Sequence, residues 1–583
     1  MTSRHHRQAR SICLARSATS RVRLRRLALV TTTAAFAACG GSLGRVISSI
    51  GHAIAEDGAI NASLPRTRAE RTNYMETSTH ADVLQFLDSL QKGGLPVSIG
   101  VLGRSTEGRE IPYAIASRPL VRTPEEARRL GRPIVYVQAN IHAGEVEGKE
   151  ALLALLRDLL AEQHRNVLDS IVLVAVPIYN ADGNEKFAAQ SRNRTEQNGP
   201  EMVGERANGQ GFDLNRDYVK AEAPETRASL AAFNAWDPDV FVDLHTTDGS
   251  FHGYALTYAP PLAPVGLAAA FTRDSLLPVL RSRMRTRHSF ETFDYGNFNE
   301  TYSDSSTDTT TRAWASYDHR PRFGTNYVGL RGRVAILSEA YSHDPFERRI
   351  RSTYAFVREI LSLAAERSVS LAALSRATAP GPTPGARVAV RSRLTSAPFT
   401  ATVPAEELER TGDSSLTEPG VPRGQRRTGR YRSLSLTIYD RFEPQLEVEL
   451  PAAYAIDASR TDVLQALLVH GVVVERVRAP TMIDAAVFTV DSVSRSRRIF
   501  QGHYESRVWG RWSTDRRALP TGTLIVPTAQ SLGVLAAYLL EPESDDGLVT
   551  WNTLDAELHR GAEFPVIRVL ERLPAPRRAL SRQ

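Results

Sequence analysis

The sequence predicts an α/β fold, in which a doubly wound, mixed and mostly parallel sheet is followed by a C-terminal α+β domain. Four short, continuous apolar runs favour strands of a parallel sheet that are buried on both faces. Patterns with helical spacing alternate with these runs, as expected for βαβ units. The chain has 583 residues, which is too long for one ordinary core, so two or more domains are expected.

The predicted strands share a short run of mainly apolar residues, and they lie at Ile134–Ala139, Ile171–Ile178, Val240–Leu244 and Val334–Leu337. The predicted helices share apolar residues at spacings of three and four, and they lie at Asp82–Leu90, Gly148–Glu162, Glu225–Trp236 and Ile350–Ala365. Because helices connect successive strands in a doubly wound fold, this order predicts one α/β domain over residues 66–378.

A Pro/Gly-rich stretch at residues 379–387 predicts a linker to a C-terminal accessory domain, residues 388–583. Residues 388–450 have a strand-like composition, with a polar and loose insert expected from Glu406 to Arg432. This region shows no dense cluster of catalytic side chains. We therefore expect it to have a structural or substrate-gating role.

The first 38 residues have the parts of an export signal. They contain eight arginines and no acidic residue, and an apolar run from Leu27 to Ala38 follows the paired Arg25-Arg26. A run of about a dozen apolar residues is too short to span a bilayer comfortably. The segment Phe36-Ala37-Ala38-Cys39 resembles the bacterial lipobox, which predicts that Cys39 is lipidated. Residues 39–65 are predicted to form a flexible tether.

Export is the favoured interpretation, with ordinary signal cleavage near Ala38 or twin-arginine transport as other routes. The alternative is a cytoplasmic protein with a disordered, arginine-rich start. We expect a periplasmic or outer-membrane lipoprotein, or a secreted protein.

The excess positive charge belongs to the leader, because removing its eight arginines lowers the net charge from +7 to −1. A nearly neutral body offers no electrostatic footprint for nucleic acid. The membrane is then reached only through a lipid on Cys39. The two cysteines of the chain are Cys13 and Cys39, so the mature body has no disulfide and any metal must be held by histidines and carboxylates.

Two side chains that can bind metal, His142 and Glu145, follow the first predicted strand. A histidine and a glutamate three positions apart can converge on one cation if the backbone turns between them. The spacing alone is a weak signal, since His288 and Glu291 repeat it. We favour His142 because it leaves the carboxyl end of a predicted strand, where open α/β sheets form their sites, whereas His288 lies in an arginine-rich segment.

His245 directly follows the predicted strand Val240–Leu244 and is therefore expected at the same edge of the sheet. With His142 and Glu145 it forms a set of three ligands that leaves a fourth position open for water. Such a set is typical of a catalytic zinc site rather than a structural one. We predict one Zn²⁺ in the catalytic domain, and a histidine that is satisfied locally at the strand end is the alternative.

Glu339 follows the last predicted strand, again at its carboxyl end. A carboxylate just past a buried strand needs partners, because burying it alone is costly. Beside zinc it can take a proton from water and give it to the leaving group. We predict that Glu339 is the catalytic base, and an N-cap of the following helix is the alternative.

The segment Gly211–Arg216 adds polar side chains between these stretches. Asn215 and Arg216 offer donors to a substrate carboxylate, which arginine can bind through two hydrogen bonds. Asp213 can instead orient a histidine ligand by accepting its second N–H. An ordinary loop salt bridge is the alternative for this segment. Upstream, Arg192 is predicted to stabilise an oxyanion, although the abundance of arginine in the chain weakens that prediction.

With these residues identified, residues 68–366 resemble the zinc carboxypeptidase (funnelin) family. The segments that carry the resemblance occur in the order of the family and are IGVLGRSTEGREI (99–111), HAGE (142–145), VPIYNADGNE (176–185), SRNR (191–194), GFDLNRD (211–217), DLH (243–245) and SEA (338–340). The resemblance implies a zinc-dependent peptidase with His142, Glu145 and His245 as metal ligands and Glu339 as the base.

The resemblance also implies contacts with a peptide substrate. Asn215 and Arg216 would hold the terminal carboxylate, and Arg192 would polarise the scissile carbonyl. Digestive members of the family carry a mobile tyrosine upstream of the base. Tyr317 has the expected spacing for this tyrosine, and Tyr327 lies close enough to compete with it.

The chain departs from the family at Gly144, where members often have arginine, so one substrate contact is missing or supplied elsewhere. The sequence thus predicts an exported zinc metallopeptidase that removes C-terminal residues from peptides. An amidohydrolase of the aspartoacylase type is the first alternative, since that group shares the HxxE, Asn-Arg and DLHTT features. A non-catalytic periplasmic binding lipoprotein is the second, although the retained ligand set and Glu339 argue against it.

Overall fold

The structure, a computed structural model, describes residues 64–247, 249–263, 266–299, 313–571, 573 and 577–580. The predicted export signal, Cys39 and nearly all of the predicted tether lie outside the described residues. None of the described helices has the length and apolar character needed to cross a membrane.

Short strands alternate with helices in the part of the chain before residue 379. The strands are Val97–Arg104 (β1), Glu110–Ala116 (β2), Ile134–Ala139 (β3), Val172–Val176 (β4), Ala188–Ala189 (β5), Met202–Val203 (β6), Val240–Thr246 (β7), Leu256–Ala259 (β8), Thr292–Asp294 (β9), Asn297–Asn299 (β10), Ala313–Ala315 (β11) and Val334–Ala340 (β12). The helices are Arg68–Arg71 (α1), His80–Lys92 (α2), Pro124–Leu130 (α3), Glu147–Ala161 (α4), Ala181–Glu185 (α5), Gln190–Asn193 (α6), Pro224–Trp236 (α7), Gly266–Phe271 (α8), Leu277–His288 (α9), Gly324–Leu330 (α10), Phe346–Glu366 (α11) and Ser368–Thr378 (α12).

The described residues form a central eight-stranded sheet with the order β1-β2-β4-β3-β7-β12-β8-β9. The middle strands β4, β3, β7 and β12 pair in parallel, whereas β1 and β2, β2 and β4, and β8 and β12 pair antiparallel. Every residue of the four middle strands is buried. The predicted doubly wound, mixed sheet is confirmed.

Alternating side chains of the middle strands pack on opposite faces, as the pleat requires. Val135 and Val137 join one apolar cluster with the leucines of α4 and with α11. Tyr136 and Phe241 face the other side, where the ring centroid of Phe233 in α7 lies 4.8 and 5.3 Å from theirs. Burial on both faces explains why these strands have continuous apolar sequences.

Two of the predicted strands are longer than their apolar runs. The run Ile134–Ala139 matches β3 residue for residue, but β7 continues to Thr246 and β12 to Ala340. His245 and Glu339 therefore lie inside strands rather than directly after them. The cause is the continuing parallel pairing of the two strands, which places Glu339 in register with His245.

The part of the chain after residue 379 is mainly antiparallel. Its strands are Arg387–Thr395 (β13), Thr400–Arg410 (β14), Gln425–Tyr439 (β15), Arg441–Glu449 (β16), Ala453–Ile456 (β17), Glu475–Val477 (β18), Thr481–Arg495 (β19), Ser506–Leu519 (β20), Leu524–Pro527 (β21), Val566–Val569 (β22) and Arg577–Ala579 (β23), and its helices are Thr461–His470 (α13) and Gly533–Leu540 (α14). A seven-stranded sheet has the order β20-β19-β22-β17-β21-β18-β23, and its strands pair antiparallel. The predicted C-terminal α+β architecture is confirmed.

The loose insert expected from Glu406 to Arg432 is wrong at both of its ends. Strands β14 and β15 pair antiparallel from Thr400 with Thr437 to Arg410 with Gln425. Most residues of these strands are at least partly exposed, so their sequence has no continuous apolar run to reveal them. Strand β15 also pairs with β11, which gives a four-stranded sheet that joins the two parts of the chain.

Candidate metal and catalytic site

A turn after β3 carries the first two predicted metal ligands. Asn140 has a φ of 63°, which asparagine tolerates better than most residues, and its amide donates to the carbonyl oxygens of Ala143 and Glu145, both at 3.3 Å. The backbone N–H of Glu145 donates to the carbonyl of His142 at 3.0 Å. As a result, His142 Nδ1 lies 2.9 Å from Glu145 Oε1.

His245, from the neighbouring strand β7, completes a buried cluster with His142 and Glu145. Its Nδ1 lies 3.2 Å from His142 Nδ1 and 3.0 Å from Glu145 Oε2. Two imidazole nitrogens that bind zinc tetrahedrally at ~2.0–2.1 Å would be separated by about 3.3 Å. The spacing and the chemistry of this donor set therefore fit one zinc ion.

Each histidine has a carboxylate oxygen close to its Nε2, the ring nitrogen that faces away from the cluster. His142 Nε2 lies 3.0 Å from Asp213 Oδ1, and His245 Nε2 lies 3.1 Å from Asp243 Oδ2. Such partners fix the tautomer and the orientation of a metal-binding imidazole. Sequence analysis considered Asp213 for this role and missed Asp243. The signal for Asp243 was its position two residues before His245 in a strand, which puts both side chains on one face.

The carboxylates of Glu145 and Asp213 give the cluster negative charge, which a divalent cation would neutralise. Burial alone would raise the pKa of Glu145, but His142 and Arg194 hold it well below its ordinary value. Burial alone would likewise raise the pKa of Asp213, but His142 keeps it well below its ordinary value. Burial would lower the pKa of His245, whereas Asp243 raises it well above its ordinary value. The carboxylates are therefore anionic beside the imidazoles.

Glu339 lies next to this cluster. It occupies β12 in register with His245, its exposed fraction is 9%, and it lines the same cavity of about 100 Å³ as His142 and Glu145. The following helix begins at Phe346 after Pro345, so the alternative N-cap role for Glu339 is wrong.

Asn215 and Arg216 form a short turn on another wall of this cavity. Asn215 Oδ1 accepts a hydrogen bond from the backbone N–H of Gly324 at 2.8 Å. The guanidinium of Arg216 lies 4.0 Å from the ring centroid of Phe323, and its Nη1 is 3.8 Å from Asp213 Oδ2. This separation is at the limit of an ion pair, so the carboxylate-binding role of Arg216 stays a prediction and the loop salt bridge stays its alternative.

Tyr317 lines the same cavity, whereas Tyr327 does not. The hydroxyl of Tyr317 donates to Asn326 Oδ1 at 3.4 Å, and its ring packs edge to face on Tyr295, with centroids 5.6 Å apart. Tyr327 instead directs its hydroxyl to His470 Nδ1 at 2.8 Å, inside the core shared with the C-terminal part. Of the two tyrosines considered from the sequence, Tyr317 is the one that lines this cavity.

Arg192 is the one predicted site residue that the structure does not bring into this cavity. It is exposed on the short helix α6 and lines a neighbouring, outer cavity. Arg194, two residues later, is buried instead, and its Nη1 lies 3.2 Å from Glu145 Oε1. Residues two apart on a helical turn point in different directions, which explains why only one of these arginines reaches the cluster.

Arg206 was missed by the sequence analysis and contacts the cluster directly. Its Nη1 lies 3.3 Å from Glu145 Oε1, and its Nε donates to Asp213 Oδ2 at 3.0 Å. Arg206 lines both the cavity that contains Glu339, which we call the catalytic cavity, and the outer cavity. Arg206 lies seven residues before Asp213 and outside the segment Gly211–Arg216, so no local pattern distinguished it from the other arginines.

The chain is similar in sequence to known carboxypeptidases. Residues 83–327 match the family model described as zinc carboxypeptidase. This region of the chain belongs to the zinc carboxypeptidase family. Carboxypeptidase 2 of Trichophyton equinum is 24% identical over 491 residues, which cover 80% of this chain and 81% of the relative. Carboxypeptidase M of Mus musculus is 30% identical over 173 residues, 27% of this chain and 34% of the relative.

Among solved structures, the metallo-carboxypeptidase of Burkholderia cenocepacia aligns at a TM-score of 0.35 and 19% identity, covering 48% of this chain and 67% of that chain. The matched zinc carboxypeptidase region contains the three clustered metal-binding residues and ends before Glu339. The match over residues 83–327 supports a zinc metallocarboxypeptidase activity, that of a hydrolase that acts on peptide bonds.

Proposed function

We propose that this protein is an exported carboxypeptidase that removes C-terminal residues from peptides, with Glu339 as the catalytic base. The observation that carries the proposal is one cavity lined by His142, Glu145, His245, Glu339 and Arg216. These residues combine a metal-binding set, a carboxylate for proton transfer and a cation for the terminal carboxylate of a peptide.

The clustered residues His142, Glu145 and His245 would hold zinc, and Asp213 and Asp243 would orient the two imidazoles. When bound, zinc supplies Lewis acidity, which acidifies water and polarises a carbonyl group.

Glu339 accepts the proton of the attacking water and later delivers it to the leaving amine. Its position is fixed by the backbone pairing of β12 with β7, so little reorganisation is needed during the reaction. We assign the stabilisation of the developing oxyanion to Arg206 rather than Arg192, because Arg206 lines the cavity and lies close to Glu145.

Arg216 and Asn215 bind the terminal carboxylate through their side-chain donors. The remaining walls near them include Tyr295, Thr325 and Leu337, which carry no charge. These walls favour an uncharged side chain on the residue that is removed.

Glu339→Gln and His142→Ala test the division of roles between base and metal ligand. We expect Glu339→Gln to lower kcat at least about 100-fold while the zinc content stays at one per chain, because a general base contributes about 10²–10⁴-fold. His142→Ala should lose both zinc and turnover. Full turnover by Glu339→Gln would show that the base assignment is wrong, and would favour a different or non-catalytic role for the cavity.

A comparison of peptides with free and amidated carboxyl termini tests the carboxypeptidase assignment against the amidohydrolase alternative. The wild-type protein should prefer the free terminus, and Arg216→Gln should remove that preference. Efficient cleavage of small N-acyl amino acids, without cleavage of longer peptides, would instead support the amidohydrolase.

The export part of the proposal is supported by the arginine-rich start, the apolar run and Cys39. Lipidation at Cys39 predicts that the mature protein partitions into a detergent phase and that Cys39→Ser stays in the aqueous phase. If both proteins remain aqueous and begin after an ordinary cleavage point, the anchor is excluded and export alone is supported.

A further inference from the structure

We infer that the outer cavity beside the catalytic site recognises an acidic side chain of the peptide, located on the amino-terminal side of the bond that is cut. This inference rests on the proposed carboxypeptidase function and adds a substrate preference to it. It assigns Arg192 a role in binding the substrate, away from the reacting atoms.

The outer cavity adjoins the catalytic cavity, because Arg206 lines both. It has a volume of about 650 Å³, which is within the range of about 300–1,000 Å³ that is typical of ligand sites. Its polar lining includes Lys186, Arg192, Glu205 and Asp213. The cavity is therefore large enough for an amino-acid side chain and is rich in charged groups.

The unpaired charge in this cavity is positive. Arg206 and Asp213 form a close pair at 2.9 Å, so they largely neutralise each other. Lys186 Nζ is 3.8 Å from Glu205 Oε2, at the limit of an ion pair between two partly exposed side chains. The side chain of Arg192 is exposed and makes no hydrogen bond or ion pair with any described residue. A guanidinium in this state can bind a carboxylate through two parallel hydrogen bonds.

The position of this cavity determines which part of a peptide reaches it. With its terminal carboxylate on Arg216 and Asn215, a peptide places its scissile bond beside Glu145 and Glu339. The rest of the peptide then continues past Arg206, which contacts Glu145 and lines both the catalytic cavity and the outer cavity. The side chains that enter the outer cavity are therefore those on the amino-terminal side of the scissile bond.

The C-terminal part of the protein supplies one wall of the outer cavity through Gln501. Its Oε1 accepts a hydrogen bond from the backbone N–H of Asp213 at 2.9 Å. Gln501 belongs to the turn between β19 and β20, where Phe500 and His503 exchange backbone hydrogen bonds. Gln501 thus supports the segment that carries Asp213.

The inference is tested with zinc-loaded Glu339→Gln protein and fluorescent peptides that differ only by Glu or Gln at each of the three positions before the scissile bond. Fluorescence anisotropy should show about fivefold tighter binding of the Glu peptide at one of these positions, the upper end of what a partly exposed ion pair provides. The preference should shrink at high salt, because exposed charges are screened.

Adding Arg192→Gln should abolish the preference, whereas Arg192→Lys should retain part of it. Arg376→Gln is the matched control, since Arg376 is an exposed arginine on α12 that lines neither cavity. A preference that is absent from the parent protein, or that survives Arg192→Gln, overturns the inference.

Measuring the cleavage of the same peptides by the wild-type protein distinguishes a failure of this inference from a failure of the proposed function. If peptides are cleaved but Glu and Gln peptides have equal kcat/KM and equal affinity, the function stands and the acidic preference is wrong. If no peptide is cleaved but the affinity difference depends on Arg192, the outer site stands and the proposed function is wrong.

Discussion

At the scale of single residues, the cluster of His142, Glu145 and His245 depends on two carboxylates, Asp213 and Asp243, that are not themselves expected to bind the metal. Asp243 is fully buried and lies 3.1 Å from His245 Nε2, while Asp213 holds the outer nitrogen of His142. Because the carboxylates lie beside the two Nε2 atoms, the Nδ1 atoms of the two imidazoles face each other at 3.2 Å. Two rings without these partners would turn so that the Nδ1 atoms do not face each other. A cation that accepts both nitrogens would be held in a prearranged site.

Asp243→Asn should weaken zinc binding about 10–100-fold, because the partner that orients His245 is lost. Competition with a chelator at fixed pH measures this change. Asp237→Asn is the matched control, since Asp237 lies just before the amino end of β7 and is half exposed. A chelator midpoint that is the same for Asp243→Asn and wild type would contradict the prediction.

At the scale of elements, the strands that form the site were the part of the fold best predicted from sequence. β3, β7 and β12 are buried on both faces, so each leaves a continuous apolar run that local sequence reveals. Parallel pairing then brings their carboxyl ends to one edge, which is why three of the predicted side chains could be expected together.

The parts that sequence did not predict depend on contacts between distant segments. Arg206 reaches the cluster through a loop whose path no local pattern specifies, so the more conspicuous Arg192 was chosen instead. The end of β14 and the start of β15 were assigned to a loose insert because most of their residues are at least partly exposed and their sequence lacks an apolar run. In both cases the tertiary partner, and not the local sequence, determines the structure.

The predicted linker is another element whose conformation depends on tertiary contact. Gly381 has a φ of +76°, and a Cβ placed there would lie 1.9 Å from the backbone oxygen of Gln530. Gly385 in the same stretch has a φ of +88°, but its nearest neighbour would be Glu449 Oε1 at 3.7 Å. The two glycines therefore share a backbone conformation and differ in their surroundings.

Gly381→Ala should lower the free energy of unfolding by about 1–3 kcal/mol, as expected for a strained backbone position, and by more than Gly385→Ala does. Chemical denaturation of both variants measures the difference. Equal effects of the two substitutions would show that the contact with Gln530 contributes nothing.

At the scale of the whole molecule, buried ionic contacts join the catalytic part to the C-terminal part. Asp546 accepts hydrogen bonds from Arg322 Nη2 at 2.7 Å and from the Trp551 indole N–H at 3.0 Å. Burial raises the pKa of Asp546 to about 6 even though Arg322 opposes this shift. Because Arg322 adjoins Phe323, which lines the catalytic cavity, these contacts also support a wall of the site.

Asp546→Ala should destabilise the protein by about 3–5 kcal/mol, because it leaves the buried guanidinium of Arg322 without its main partner. Asp462→Ala, which removes a 47% exposed partner of Arg460, should change stability by only about 0–1 kcal/mol. The double variant Arg322→Met/Asp546→Leu should recover much of the loss. Thermal or chemical denaturation that shows equal effects for Asp546→Ala and Asp462→Ala would contradict the prediction.

A second contact between the two parts should depend on pH. His503 Nε2 lies 3.0 Å from Glu222, and this bond raises the pKa of His503 above 6.5. Burial alone would raise the pKa of Glu222, but the hydrogen bond with His503 lowers this pKa below 4.5. The histidine contribution is complete below pH 6.5 and is lost as pH rises through its raised pKa. The glutamate contribution is complete above pH 4.5 and is lost as pH falls through its lowered pKa.

His503→Asn should therefore destabilise the protein most between pH 4.5 and 6.5, and least in alkaline solution. The effect should be modest, about 0–1 kcal/mol, because Glu222 is partly exposed. Unfolding measured across pH for wild type and variant gives the difference directly. A difference that does not vary with pH would show that charge is not the cause.

The pairing of β11 with β15 also limits how the protein can be shortened. Trp314 and Ala315 pair in parallel with Ile438 and Tyr439, and the Trp314 side chain is fully buried. A fragment that stops in the Pro/Gly-rich stretch would leave β11 with an open edge and would uncover this tryptophan. Open edges of this kind recruit strands from other molecules, so such a fragment would be prone to aggregate even with every catalytic side chain present.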